Sequence, residues 1–232
     1  MKQKQLADSP HDKRGDNIVR NMQRRKFFSQ AAGLASIAAF AAACDKDDNN
    51  NSGGVDLGSG DFGILNYAYA LEQLEAAFYT QVVATPYSGM SAVELTFMTD
   101  IRNHEIAHRE FFKAALGGMA IQALEVDFST INFTNRDSVL ATAKAFEDLG
   151  VTAYDGAGYL IKDANYLLLA GKIVSVEARH AALIRELIAA NTFLGDQVDS
   201  NSVNLARTPD EVLSIAGTYI KTKINASNLP KG

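Results

Sequence analysis

The sequence predicts an all-α protein: a four-helix bundle with one long crossover between its second and third helices, followed by a short C-terminal helix. Three observations carry this. Apolar residues recur at three-to-four spacing through four long stretches, the first two of them marked off by a capping residue, glycine or proline. The connections between them run short, long, short, which is the rhythm of a bundle with one crossover. No stretch alternates as a strand would; Ile131-Asn132-Phe133 comes nearest and is too short to matter. With 232 residues, 47% of them hydrophobic, the chain can bury one sizeable core. A single cysteine excludes an intrachain disulfide and cysteine-rich zinc or iron sites.

The first helix starts near Phe62. Leu65, Ala68, Glu72, Glu75 and Tyr79 share a face, with Leu71, Leu74 and Phe78 beside it, and Pro86 and Gly89 end the run. Ser91 caps the second helix, with Glu94 three residues on as in a capping box, and the helix runs to Leu116 before Gly117-Gly118. Residues 117–136 lack a helical period and form the crossover. The third helix spans Ser138 to Tyr154 and the fourth Ala164 to Ala190. A fifth, Pro209 to Thr222, opens with Thr208 as cap, proline in the first turn, and Asp210 and Glu211 facing the helix dipole. The bundle is thus expected over 61–195, with 196–232 as a C-terminal loop and short helix that covers the bundle end or forms a homodimer contact.

Residues 1–44 read as an export segment rather than as fold. Arg24-Arg25-Lys26-Phe27-Phe28 resembles a twin-arginine signal, and Met22 is an alternative start. The alanine-rich run Ala31 to Ala43 is too short for an ordinary membrane span. Its end, Ala41-Ala42-Ala43-Cys44, resembles a lipobox, which implies lipidation of Cys44; plain cleavage at an Ala-x-Ala site is the alternative. The implied location is the cell envelope, as a periplasmic protein or an outer-membrane lipoprotein. Asp45 to Gly60, rich in Asp, Asn, Gly and Ser, reads as a disordered acidic linker. Its Asp45-Lys46-Asp47-Asp48 also resembles a surface-export tag.

Residues 1–44 hold 8 of the 22 basic and 3 of the 27 acidic residues, which leaves the remainder at a net charge of −10. Such a surface has no footprint for nucleic acid. It is repelled by anionic lipid, so any membrane attachment comes through the lipid anchor.

Beyond the export segment there are three histidines, His104, His108 and His180. Two form Glu-x-x-His pairs, Glu105 with His108 and Glu177 with His180. Residues i and i+3 of a helix point the same way, so each pair presents a carboxylate and an imidazole to one point. Both pairs lie on apolar stripes: Met98, Ile101 and Phe112 for the first, Ile173, Ile184 and Leu187 for the second. A buried glutamate is costly unless paired or metal-bound. Glu72 and Glu147 are placed alike. The two halves also repeat: Leu71-Glu72-Gln73-Leu74 with Tyr79 matches Phe146-Glu147-Asp148-Leu149 with Tyr154, and each precedes its own Glu-x-x-His.

Glutamate then Glu-x-x-His, twice over, resembles the ferritin-like carboxylate-bridged dimetal superfamily. Ile64-Leu65-Asn66-Tyr67-Ala68, Leu71 to Tyr79, Phe146 to Tyr154 and Glu177-Ala178-Arg179-His180-Ala181 look like the ferritin-like domain group that includes desiccation-related proteins. The resemblance implies that Glu105 and Glu177 bridge two metals, that His108 and His180 bind one each, and that Glu72 and Glu147 are terminal ligands. Glu75 is the alternative to Glu72, though its repeat partner is Gly150. Tyr79 and Tyr154 would orient the carboxylates. The cofactors implied are two Fe or two Mn ions, and the substrate O₂ or peroxide, in an oxidoreductase serving oxidative or metal stress. Two other classes stay open. One is a metal-binding or structural surface protein without turnover. The other is a zinc peptidase, because His104-Glu105-Ile106-Ala107-His108 also reads as HExxH, although Arg109-Glu110-Phe111-Phe112 brings no third ligand and Glu125 or Asp127 could serve only from a loop.

Overall fold

A computed structural model describes residues 53–231. The export segment, Cys44 and the first part of the linker lie outside the described residues. Helices α1 (Gly60–Ala84), α2 (Ala92–Leu116), α3 (Arg136–Gly158), α4 (Ala164–Ile188) and α5 (Pro209–Ala216) follow in order. Helix α1 packs along α2, and α3 along α4. The two pairs close on each other as an all-α bundle with residues 117–135 crossing between them.

The ends follow local chemistry. The Ser91 hydroxyl accepts from the Glu94 amide, and the Glu94 carboxylate accepts from the Ser91 amide, so the capping box at α2 is complete. Thr208 and Glu211 build the same box at α5. Helix α3 starts two residues before Ser138 because the Asn135 side chain accepts from the Ser138 amide and so acts as the cap. It also runs four residues past Tyr154, through Gly156 and Gly158; burial of Ala157 outweighs the low helix propensity of these glycines. Helix α5 stops at Ala216, well short of Thr222.

One further expectation is corrected. Residues 53–60 are not a disordered linker. Val55–Asp56 form a strand, β1, that pairs in parallel with β2 (Ile224–Asn225), and Leu57 is fully buried. Ile131-Asn132-Phe133 is turn and coil, in line with a stretch too short to form a strand. The C-terminal segment, in turn, joins the bundle's own core. Val212 and Ala216 of α5 are buried, and α5 packs on α3. Beyond it, Ile220 bridges to Val126 of the crossover.

Helix α1 is consequently buried almost all round from Gly63 to Tyr79, not along one stripe. Two polar side chains on it hold the backbone that covers it. Buried Asn66 donates to the carbonyls of Leu57 (3.1 Å) and Met119 (2.9 Å), and its own oxygen accepts from the Ile121 amide (3.0 Å). Two turns on, Gln73 accepts from the Leu124 amide (2.9 Å). Asn66 therefore ties the N-terminal strand and the crossover to one point. Asn66→Leu is expected to cost about 3 kcal/mol, because it leaves buried backbone groups unpaired. Urea unfolding of the two proteins checks this.

Candidate metal centre

Each of the four long helices contributes from its middle. Glu72 comes from α1, Glu105 and His108 from α2, Glu147 from α3, and Glu177 and His180 from α4. The four glutamates have no measurable exposure. The structure brings all six residues together, in two groups whose ligand-type atoms lie within 4.8 Å of one another: Glu72, Glu105, His108 and Glu177, and Glu105, Glu147, Glu177 and His180.

Glu105 and Glu177 belong to both groups, and each divides its two oxygens between them. Glu177 Oε1 lies 2.9 Å from His108 Nδ1 and its Oε2 lies 3.8 Å from His180 Nδ1. Glu105 does the reverse, with Oε1 2.8 Å from His180 Nδ1 and Oε2 3.6 Å from His108 Nδ1. Glu72 Oε2 stands 3.5 Å from His108 Nδ1, and Glu147 Oε2 stands 3.4 Å from His180 Nδ1. The site thus has an internal two-fold symmetry that follows the sequence repeat.

The tyrosines cross that symmetry. Tyr79 of α1 donates to Glu147 Oε1 of α3 (2.5 Å), and Tyr154 of α3 donates to Glu72 Oε1 of α1. Each glutamate therefore has one oxygen fixed by a phenol and the other turned to the centre. The inward atoms, Glu72 Oε2, Glu147 Oε2, both oxygens of Glu105 and of Glu177, and Nδ1 of each histidine, have no aligned hydrogen-bond partner. Buried polar atoms are rarely left so. Eight ligand-type atoms gathered in two buried groups fit cations, and oxygen with imidazole suits iron or manganese.

The charges agree. Burial pushes Glu105 well above the usual carboxylate range, with Glu177 beside it adding to the effect. Burial likewise raises Glu147, against the pull of His180, to about 7. Burial would also raise Glu177, but His108 and His180 outweigh it and hold it at about 2. Burial would lower His180, yet Glu147, Glu105 and Glu177 push it up to about 12, and His108 is raised in the same way. These directions favour protons on Glu105, Glu147 and the two histidines, with Glu177 ionised between the imidazoles.

Glu75 is buried too but stands outside both groups. A methyl group on Gly150 would sit 3.0 Å from Glu75 Oε1, so Glu75 fills the space that the glycine leaves. His104 is also outside both groups. Its Nδ1 lies 2.8 Å from Nε2 of His180, on the side away from the carboxylates. The two histidines of the HExxH pattern therefore do not converge on one point. Sequence reasoning gave no role to the buried pair of Arg185 and Asp148, which ties α4 to α3. The only signal was an arginine on the apolar face of α4.

A ferritin-like domain model matches residues 60–190, more than half of the chain. The chain belongs to the ferritin-like domain family. A search of curated proteins finds no match. The matched span of this ferritin-like domain covers all four long helices and all six residues of the two groups. It stops short of α5 and β2.

Proposed function

We propose that this ferritin-like protein holds two iron or manganese ions and acts as an oxidoreductase on O₂ or peroxide in oxidative or metal stress. The observation that supports this most is the division of Glu105 and Glu177, each with one oxygen toward either histidine. A single-metal site has no use for that division. Glu72, Glu105, His108 and Glu177 would hold one ion, and Glu105, Glu147, Glu177 and His180 the other. A bound pair of such ions supplies two adjacent one-electron centres. The chain's part is to fix the terminal carboxylates through Tyr79 and Tyr154, to exclude water, and to hold protons on Glu105, Glu147 and the two histidines until metal displaces them.

A small apolar pocket supports a small substrate. Leu65, Ala68, Leu71, Phe112 and Tyr154 are among the residues that line a volume of about 20 Å³, room for a molecule the size of water. Its wall includes the tyrosine bonded to Glu72. Export by the twin-arginine route and anchoring through Cys44 complete the reading, placing the protein in the cell envelope.

Metal analysis of the full chain tests the proposal. Two Fe or Mn per chain are expected, with consumption of peroxide, or oxidation of added Fe²⁺ by O₂. Two ions without turnover would leave a metal-binding protein. Fewer than one ion after reconstitution would overturn the centre.

A pH dependence follows. Glu147 is raised in the fold from 4.5 to about 7, and the histidines are raised above 6.5. The metal-free fold thus binds more protons than the unfolded chain above pH 4.5. Its site loses stability as pH rises from about 5 to 8. Metal needs those groups deprotonated, so its stabilisation should grow over the same window. Melting temperatures with and without Mn²⁺ at pH 5, 6, 7 and 8 should diverge steadily.

A further inference from the structure

His104 is the one residue of the HExxH pattern that the two groups leave aside, and its geometry gives it a task. Its Nδ1 is 2.8 Å from Nε2 of His180, with the ring planes 11° apart and the centroids 5.1 Å apart. At that separation the rings meet edge to edge in a shared plane, as hydrogen-bonded imidazoles do. His180 turns its other nitrogen, Nδ1, to Glu105, Glu147 and Glu177. A neutral imidazole carries one N–H and one lone pair. If Nδ1 is to offer its lone pair inward, the proton must sit on Nε2, and there it has His104 Nδ1 as acceptor.

We infer that His104 is a positioning residue for His180: it selects the tautomer and fixes the ring plane of the imidazole in the Glu147 half of the centre, and it links that half to the surface. The inference rests on the dimetal reading above. His104 itself reaches the surface, whereas His180 is buried. The link has no counterpart in the other half. In the repeat that aligns Glu105 with Glu177, His104 aligns with Val176, whose side chain neither donates nor accepts. The centre therefore has symmetric ligands and an asymmetric surround, and its two metal positions are unequal.

Mn²⁺ titration of the full chain, followed by the EPR signal of the free ion, tests this without recourse to activity. His104→Leu keeps the bulk and removes the acceptor. His104→Asn places a carbonyl oxygen on Cγ, where the imidazole carries Nδ1. His104→Leu is expected to weaken one of the two Mn²⁺ ions by about 10- to 100-fold and to leave the other unchanged. His104→Asn should restore most of the loss, which a mere packing role would not produce. Two ions in the wild type with unchanged affinities in His104→Leu would overturn the inference alone. So would a loss in His104→Leu that His104→Asn fails to restore. Fewer than one ion in the wild type would overturn the dimetal reading and this inference with it.

Discussion

Glu177→Ala is expected to empty both metal positions, while Glu72→Ala and Glu147→Ala should each empty one. The difference comes from how the oxygens are shared. Glu177 offers Oε1 to the His108 side and Oε2 to the His180 side, so its loss removes a ligand from each group. Glu72 and Glu147 each face only one histidine. Affinity should fall by more than about 100-fold at both positions in Glu177→Ala, since even outer partners of metal ligands cost 10- to 100-fold. In Glu72→Ala and Glu147→Ala the total should fall from two ions per chain toward one.

The metal-free forms should separate these variants in a second way. Glu177 is the carboxylate that His108 and His180 hold ionised, and it faces both of them. Removing one member of a buried ionic cluster costs about 3–5 kcal/mol. Metal-free Glu177→Ala should therefore melt well below metal-free wild type. Metal counts and melting curves on the same preparations check both parts. Equal loss in all three variants would mean that the oxygens are not divided as the geometry shows.

The bundle and the residues at its centre were legible because both follow helical period. Glu105, His108, Glu177 and His180 stand where apolar stripes require burial, and the repeat ties Glu72 to Glu147 without any knowledge of packing. The caps at Ser91 and Thr208 were legible because they are local. What was not legible depends on partners distant in sequence. Val55–Asp56 is a strand only because Ile224–Asn225 lies beside it, and a two-residue strand leaves no periodic trace. The full burial of α1 requires the crossover and the C-terminal segment to fold back over it, and Asn66 and Gln73 look in sequence like ordinary surface amides. Glu75 read as an alternative to Glu72 because both face inward. Only the space left by Gly150 shows that it has a separate place.

Gly156→Ala carries the other large effect, and its sign runs against helix propensity. In an exposed helix interior, glycine to alanine stabilises by about 1 kcal/mol. At Gly156 the new methyl would lie 1.8 Å from the Arg207 carbonyl oxygen and 2.6 Å from its carbon. These are backbone atoms and cannot swing aside. Arg207 is also pinned to the same face of α3: its amide donates to the Thr152 carbonyl (3.0 Å) and its guanidinium to the Thr152 hydroxyl (2.7 Å). The next residue, Thr208, caps α5. Relieving the clash moves Arg207 off α3, breaks those bonds and shifts the cap, so α5 loses its seat. Overpacking and the lost hydrogen bonds together should cost about 3 kcal/mol. Gly171→Ala supplies the control. Gly171 lies in α4, exposed, with nothing within 4 Å of an added methyl. It should stabilise by roughly 0.5–1 kcal/mol. The same substitution is thus expected to lower the midpoint of urea unfolding at one site and raise it at the other. Shifts of the same sign would mean that the C-terminal segment does not pack on α3 at Gly156.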